Sequence, residues 1–353
     1  MYRALKLWLN RCFYDEEAAI LAWLLLLGSL IVIVLGHILA PLLASVVFAF
    51  LLDWMSQGLE RQGLKRKYAL TVVYVGFLAT IILSCFGLVP ILLQQTQNFF
   101  HDLPNLASRG QDELTVFLQR FPDLFSQAQL DEISSGIATG LKDSAKYLLS
   151  ASVSWLPGVV TGILYLILIP IMVLLLLKDK KELLDWFVGY LPKTRPLMNR
   201  VSNEVNAQLG NYIRGKFVEF VVVTLFTYLG FIVFNLNYAA LLALGVGLSV
   251  WVPFIGGLAS TIPVVLVAYL QFGLGATFGW SMLVFAVIQM LDGNLLAPLL
   301  FGEAVKIHPV AILIAVILFG GLLGFWGMFF AIPLAALVKA VLLSWPMHPT
   351  GKR

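Results

Sequence analysis

The chain has 353 residues, of which 60% are hydrophobic and only 12% charged, against roughly 45–50% apolar and about 25% charged in an ordinary globular domain. With a mean hydropathy of +0.92, there are too few charges to clothe a water-soluble surface of this size, so the exterior must face lipid. A cytosolic enzyme, a secreted disulfide scaffold and a disordered tail are excluded, and chain length becomes a count of membrane crossings. The net charge of +4 and the pI near 9.0 do not argue for a nucleic-acid face. The 23 Lys and Arg cluster in short stretches between apolar runs, as the positive-inside bias requires. Cys12 and Cys85 offer neither a disulfide framework nor a metal-ligand set, and no cofactor is expected.

Residues 1–17 carry Arg3, Lys6 and Arg11 and then Asp15, Glu16 and Glu17, after which 35 residues run to Leu52 without a formal charge. As one helix that run would extend roughly 52 Å, against about 30 Å of hydrocarbon. It must fold back, and Gly36, His37 and Pro41 place the turn. Continuation into a second span argues against a cleaved signal peptide. Arg61, Lys65, Arg66 and Lys67 mark a cytoplasmic loop, and residues 68–93 then cross outward, which makes 1–93 a unit with a cytoplasmic N-terminus. Residues 94–150 are the long hydrophilic stretch, with four basic and seven acidic side chains, and are expected outside the membrane. Within them Ser126 and Gln129 open a capping box, and Leu130, Ile133, Ile137 and Leu141 recur at helical spacing.

The third unit, 151–216, returns through a span to a dense basic block from Lys178 to Lys216. In that block Val201, Val205, Leu209, Tyr212 and Ile213 form an apolar stripe, which predicts a helix lying in the cytoplasmic interface. The last unit, 217–353, opens with 72 residues, Phe220 to Leu291, that contain no Asp, Glu, Lys or Arg. Breaks at Asn235–Tyr238, at Pro253 with Gly256 and Gly257, and at Gly273–Gly275 divide this stretch into four pieces. Pro309 to Leu343 is a second such run, with Lys339 its one charge and with breaks at Gly320, Gly321 and Gly324. Cytoplasmic Lys352 and Arg353 follow it. The fold class is therefore an all-α polytopic membrane protein of about eight transmembrane helices. Short paired segments interrupted by Gly and Pro point to discontinuous or re-entrant hairpins in the C-terminal half, where such backbone lines a cavity or is buried in protein.

Zinc-protease, P-loop, dinucleotide-binding and paired-cysteine signatures are absent, so an enzyme is not expected and neither is ATP hydrolysis by the chain itself. The candidate path or gate residues are Pro253, Gly256, Gly257, Asp292, Asn294, Gly320, Gly321, Gly324 and Pro333, with Asp292, Glu219 and Glu303 as candidates for ion coupling. Lys306, His308 and His37 lie at predicted span ends, where snorkelling is a sufficient account. Asn235, Asn237, Gln271, Gln289 and Asn294 are available to hydrogen-bond a polar solute.

Several blocks together resemble the autoinducer-2 exporter family of permeases. They are PIMVLLLLKDKKEL from Pro170, NYIRGKFVE from Asn211, WVPFIGG from Trp251, DGNLLAPLLFGEAVKIHP from Asp292 and FGGLLGFWGMFFAIPLAALVKA from Phe319. The resemblance implies a multi-pass protein of the bacterial inner membrane that exports a small polar solute such as autoinducer-2 and assembles as a homo-oligomer. For some relatives it implies sodium or lithium to proton antiport, with a monovalent cation as the ligand. A membrane scaffold or receptor that recruits a partner through residues 94–150 is the alternative from another class, and it leaves the intramembrane Gly and Pro breaks without a purpose.

Overall fold

The computed structural model describes residues 16–36, 38–99, 101–102, 136, 155–253, 255–301 and 307–345. The capping box and amphipathic repeat expected between Ser126 and Leu141 lie outside these residues, as do His37, Glu303, Lys306, Lys352 and Arg353. Seven helices are long and apolar enough to cross a bilayer. They are α1 (Glu16–Leu35), α2 (Ala40–Arg61), α3 (Arg66–Phe99), α4 (Trp155–Lys178), α6 (Pro196–Val233), α8 (Ile255–Phe272) and α9 (Ala276–Phe301). Three shorter apolar helices, α7 (Ala239–Ser249), α10 (Pro309–Leu323) and α12 (Ala331–Ser344), join them. The amphipathic α5 (Lys180–Gly189) and the short α11 (Phe325–Phe329) complete the described elements. Leu26, Leu30 and Val34 on α1, Leu83 and Phe86 on α3, and Ile163 and Ile167 on α4 all point outward. An apolar exterior on this scale is matched to hydrocarbon, and the chain is an all-α polytopic membrane protein.

The first turn forms where the breakers predict it. α1 ends at Leu35, and α2 carries Pro41 in its first turn, where the missing N–H would have had no helical partner. α2, α3 and α4 share a core of Leu52, Val73, Val173 and Leu177. The Tyr74 hydroxyl donates to the Pro170 carbonyl at 3.1 Å across the α3–α4 contact. At the basic end of this bundle Asp53 meets Lys180 at 2.9 Å and Arg66 at 3.8 Å.

α6 departs from the sequence expectation. An interfacial helix and a separate span were predicted on either side of residue 216, whereas the chain runs them as one helix of 38 residues, roughly 57 Å long at 1.5 Å per residue. No proline follows Pro196 to interrupt it. Its apolar stripe is covered by protein. Val201 packs with Leu197 and Met198 against Ala18 and Leu21 of α1 and Leu337 and Val341 of α12, while Tyr212 and Ile213 pack against Leu51 and Phe329. Glu17 Oε1 accepts the Met198 N–H at 2.7 Å, a carboxylate at the helix end whose dipole favours it.

Two hairpins flank α6. At its C-terminal end Asn235 (φ 50) and Tyr238 (φ 59) adopt left-handed conformations and reverse the chain. α7 then descends along the second half of α6, in a core with Val223, Phe231, Leu242 and Val246. After the break at residues 250–253, α8 returns to where α7 began. There Gln271 donates to the Asn235 carbonyl and accepts the Asn237 N–H, both at 2.8 Å, so the two feet of this hairpin sit at the same end. α10 and α12 form the second hairpin, with Val316 against Ala331. α12 follows the first half of α6 from the level of Tyr212, beside Phe330 and Ile332, to the level of Leu197, beside Leu337 and Trp345. The hairpins therefore approach from opposite ends of α6.

The distal end of α3 is tied to the foot of the first hairpin. Tyr238 donates its hydroxyl to Asp102 Oδ2 at 2.5 Å, Leu241 N–H donates to Gln95 Oε1 at 2.9 Å, and the Phe99 and Tyr238 rings meet edge-on. The Tyr238 hydroxyl, and after it His101, holds the Asp102 carboxyl below its ordinary range. Burial, and then Asp102, pushes the Tyr238 hydroxyl up to about 12. A depressed carboxylate stabilises the fold above its unfolded pKa of about 3.9, and that contribution is lost as pH falls through the folded value. Tyr238→Phe is expected to lower the unfolding midpoint by a constant amount above about pH 4 and by progressively less in stronger acid. A penalty that does not change down the acid range would show that Asp102 takes no part.

Candidate transport site at the hairpin junction

The closed ends of the two hairpins meet beside residues 212–220 of α6, and two α6 side chains one turn apart hold them. Tyr212 donates its hydroxyl to the Phe329 carbonyl at 2.7 Å, at the end of α11. Lys216 donates to the Val250 carbonyl at 2.8 Å, at the end of α7. Both acceptors sit where a helix stops and leaves its last carbonyls without intrahelical partners. Trp251 occupies the seam, with ring centroids 5.1 Å from Phe329, 5.9 Å from Phe325 and 5.7 Å from Phe220. Val252 reaches across it to the Ala315, Val316 and Ala331 core of the second hairpin.

A charged cluster lies at this seam. Lys216 Nζ is 2.8 Å from Glu219 Oε2, and both side chains are almost fully buried. The Lys216 ammonium also sits 5.1 Å over the Phe301 ring at the end of α9. Asp292 of α9 lies within electrostatic range of both Lys216 and Glu219. One cation therefore faces two carboxylates. Asp292 Oδ1, Trp251 Nε1 and the Thr224 and Thr227 hydroxyls are buried with no hydrogen-bond partner among the described residues. Groups of this kind are costly in an apolar surround. Asp292 also opens a π-helical turn, Asp292–Leu296, inside α9, a widened turn frequent at functional sites.

The candidates from the sequence separate by where the structure places them. Glu219, Asp292, Pro253, Gly256 and Gly257 come together at the junction, Gly257 with its Cα turned toward the Gln289 amide of α9. Gly324, with φ +62, makes the sharp bend between α10 and α11, and Gly320 packs under Met328. Pro333 is buried in the first turn of α12. Asn294 points outward and donates to Met290 of its own helix, and Gly321 is exposed with open space before it. Asn235, Asn237 and Gln271 clamp the hairpin foot, and His308 accepts the Val310 N–H as the cap of α10. The sequence reading missed Lys216 and Tyr212 as site residues, because a Lys in a basic block and a Tyr in an apolar stripe have ordinary explanations. The available signal was their i, i+4 spacing with Glu219 three residues on.

A vestibule unforeseen in the sequence adjoins the N-terminal half of α6. One cavity of 390 Å³ is lined by Phe50, Asp53, Leu177, Lys180, Asn203 and Asn206. A neighbour of 280 Å³ shares Phe50, Asp53, Lys180 and Asn206 and extends to Asn211 and Arg214. Arg214 stands 5.7 Å over the Trp54 ring, and its Nε is buried without a partner among the described residues. Among the described residues no three His, Cys, Asp or Glu side chains group as metal ligands.

Hairpins that enter from opposite ends and abut at buried charges fit a polytopic transporter, since broken helices at membrane depth persist where they line a cavity or are buried in protein. The comparisons agree with this class. The model of the AI-2E family transporter matches residues 20–347, and the chain belongs to that family. It is 42% identical over 346 residues to the Escherichia coli (strain K12) protein named "Putative permease PerM", covering 98% of both chains. It is 28% identical over 344 residues to "Putative transport protein YrrI" of Bacillus subtilis (strain 168), covering 97% of this chain and 96% of the relative.

Proposed function

We propose that the chain exports a small polar solute across the bacterial inner membrane, through a path that passes the junction of the two hairpins. The observation that carries this reading is the pair of α6 hydrogen bonds, from Tyr212 to Phe329 and from Lys216 to Val250, which hold the hairpin ends shut. Each bond contributes on the order of 1 kcal/mol, and up to about 3 kcal/mol where the donor is charged. Release of both is small enough to be driven by binding of a solute that supplies replacement donors and acceptors. The vestibule beside Asn203, Asn206 and Asn211 offers uncharged polar groups to such a solute on the way. Ala18, in the first turn of α1, and Trp345, just past the end of α12, pack in the cluster around Leu197. Together with the basic loops, that placement supports a cytoplasmic position for both termini. Gly158 and Gly162 on α4 have open space before them, which supports homo-oligomer contacts.

A second reading, cation-coupled movement or sodium to proton antiport, is favoured by one observation, the excess of carboxylate over ammonium in the Lys216, Glu219 and Asp292 cluster. Liposomes containing the purified protein separate the two. Flux of autoinducer-2 and sodium flux against a proton gradient are measured side by side, for the wild type and for Asp292→Asn. The variant is expected to lose cation-coupled flux and keep passive solute passage. Equal loss of both would overturn that division of roles, and no flux of either in the wild type would overturn the transport path itself.

A further inference from the structure

A groove of 510 Å³ between α3 and α4 is not used by the path described above. Its rim is Arg66, Lys67 and Lys178, and its wall is Leu70, Tyr74, Leu174 and Leu177, with Thr71 between them. Among the described residues no carboxylate lines it. Lys67 and Lys178 are exposed and have no ion-pair partner among the described residues. Arg66 makes only the 3.8 Å contact with Asp53 among the described residues, and its side chain stays 60% exposed. Three cations thus converge above an apolar wall whose upper part belongs to two membrane-spanning helices.

We propose that this groove binds an anionic phospholipid, with the phosphate on Arg66, Lys67 and Lys178 and an acyl chain along Leu70, Tyr74 and Leu174. Two observations beyond the charges fix this occupant. The wall continues the lipid-facing surface of α3 and α4, where Leu174 and Leu175 are exposed, so an acyl chain reaches it without leaving the bilayer. α5 follows Lys178 after one residue and carries exposed Leu183, Leu184, Trp186 and Phe187, and exposed Tyr190 at its C-cap meets Trp186 edge-on. An aromatic belt of this kind settles at headgroup level, which puts the three cations at the depth of phosphate. Basic pockets between spanning helices recognise acidic headgroups by this combination of charge and depth.

The test uses the full chain in dodecyl maltoside micelles, with retained lipid counted by native mass spectrometry. The probes are dioleoylphosphatidylglycerol, dioleoylphosphatidylcholine and inorganic phosphate. The groove variant is Arg66→Gln with Lys67→Gln and Lys178→Gln, and the matched control is Lys181→Gln with Lys193→Gln and Arg200→Gln. Each basic residue near a membrane surface strengthens binding about fivefold, so the groove variant is expected to hold phosphatidylglycerol about a hundredfold more weakly and the control about as well as the wild type. Phosphatidylcholine is expected to bind no better to the wild type than to the groove variant. Leu174→Gln, which keeps all three cations, is expected to weaken phosphatidylglycerol while leaving the protein monodisperse. Unchanged retention in the groove variant, or an equal loss in the control, would overturn the proposal. Displacement of the lipid by millimolar inorganic phosphate would also overturn it, by showing a site for the free anion.

Discussion

Lys216→Met is expected to destabilise the protein by about 3–5 kcal/mol, the range for breaking a buried ion pair by removing one partner. Methionine keeps the length of the side chain but leaves Glu219 and Asp292 facing each other with no cation among the described residues. It also leaves the Val250 carbonyl without its donor at the end of α7. Denaturant unfolding in detergent measures the loss. Lys216→Met with Glu219→Gln should recover part of it, since one of the two uncompensated carboxylates is then removed, and the shortfall combines the lost hydrogen bond to Val250 with the Asp292 carboxylate left without its cation. Wild-type stability in the single variant would show that the ammonium holds neither the hairpin nor the carboxylates.

The next largest effect is expected at Gly256. A Cβ there would overlap the Ser249 carbonyl, a backbone atom that moves only if the hairpin end opens. Gly256→Ala should therefore cost about 1–3 kcal/mol and reduce solute flux, because the end of α8 is displaced from Trp251 and from the seam with Phe329. Gly321→Ala is the matched control. That glycine is helical, exposed and without neighbours at its Cβ, so alanine should be neutral or stabilise α10 by up to about 1 kcal/mol through helix propensity. Equal unfolding midpoints and equal flux for Gly256→Ala and the wild type would remove close packing of the hairpin end from the account. A helical glycine gives no outward sign of which of these it is. Gly320, Gly321 and Gly324 lie within five residues, yet one packs under Met328, one faces outward and one makes the bend.

The fold was legible to the extent that it depends on local chemistry. Pro41, the Asn235–Tyr238 turn and Gly273 mark helix ends because a fixed φ, a left-handed conformation or a missing N–H acts within a few residues. The same local logic failed at residue 216. The polar and apolar halves of α6 look like two environments, but nothing in the backbone between them breaks the helix, and protein on both halves covers the stripe. Among the site residues Asp292 and Glu219 were visible because carboxylates are rare and expensive in apolar sequence. Asn294, equally rare there, turns away to its own helix.

The sequence by itself determined that the solvent is lipid, that the chain is helical throughout its spans, and that the C-terminal half contains broken segments, because hydropathy and backbone propensity are properties of neighbouring residues. Which ends of those segments meet was decided only by the tertiary structure. The pairing of Val250 with Lys216, of Phe329 with Tyr212 and of Asp292 with the Lys216–Glu219 pair joins residues between 34 and 117 positions apart, or on separate helices. No periodicity encodes such contacts. They arise because carbonyls released at two helix ends must find donors in a medium without water, and among the described residues both hairpins pack against α6 at that depth.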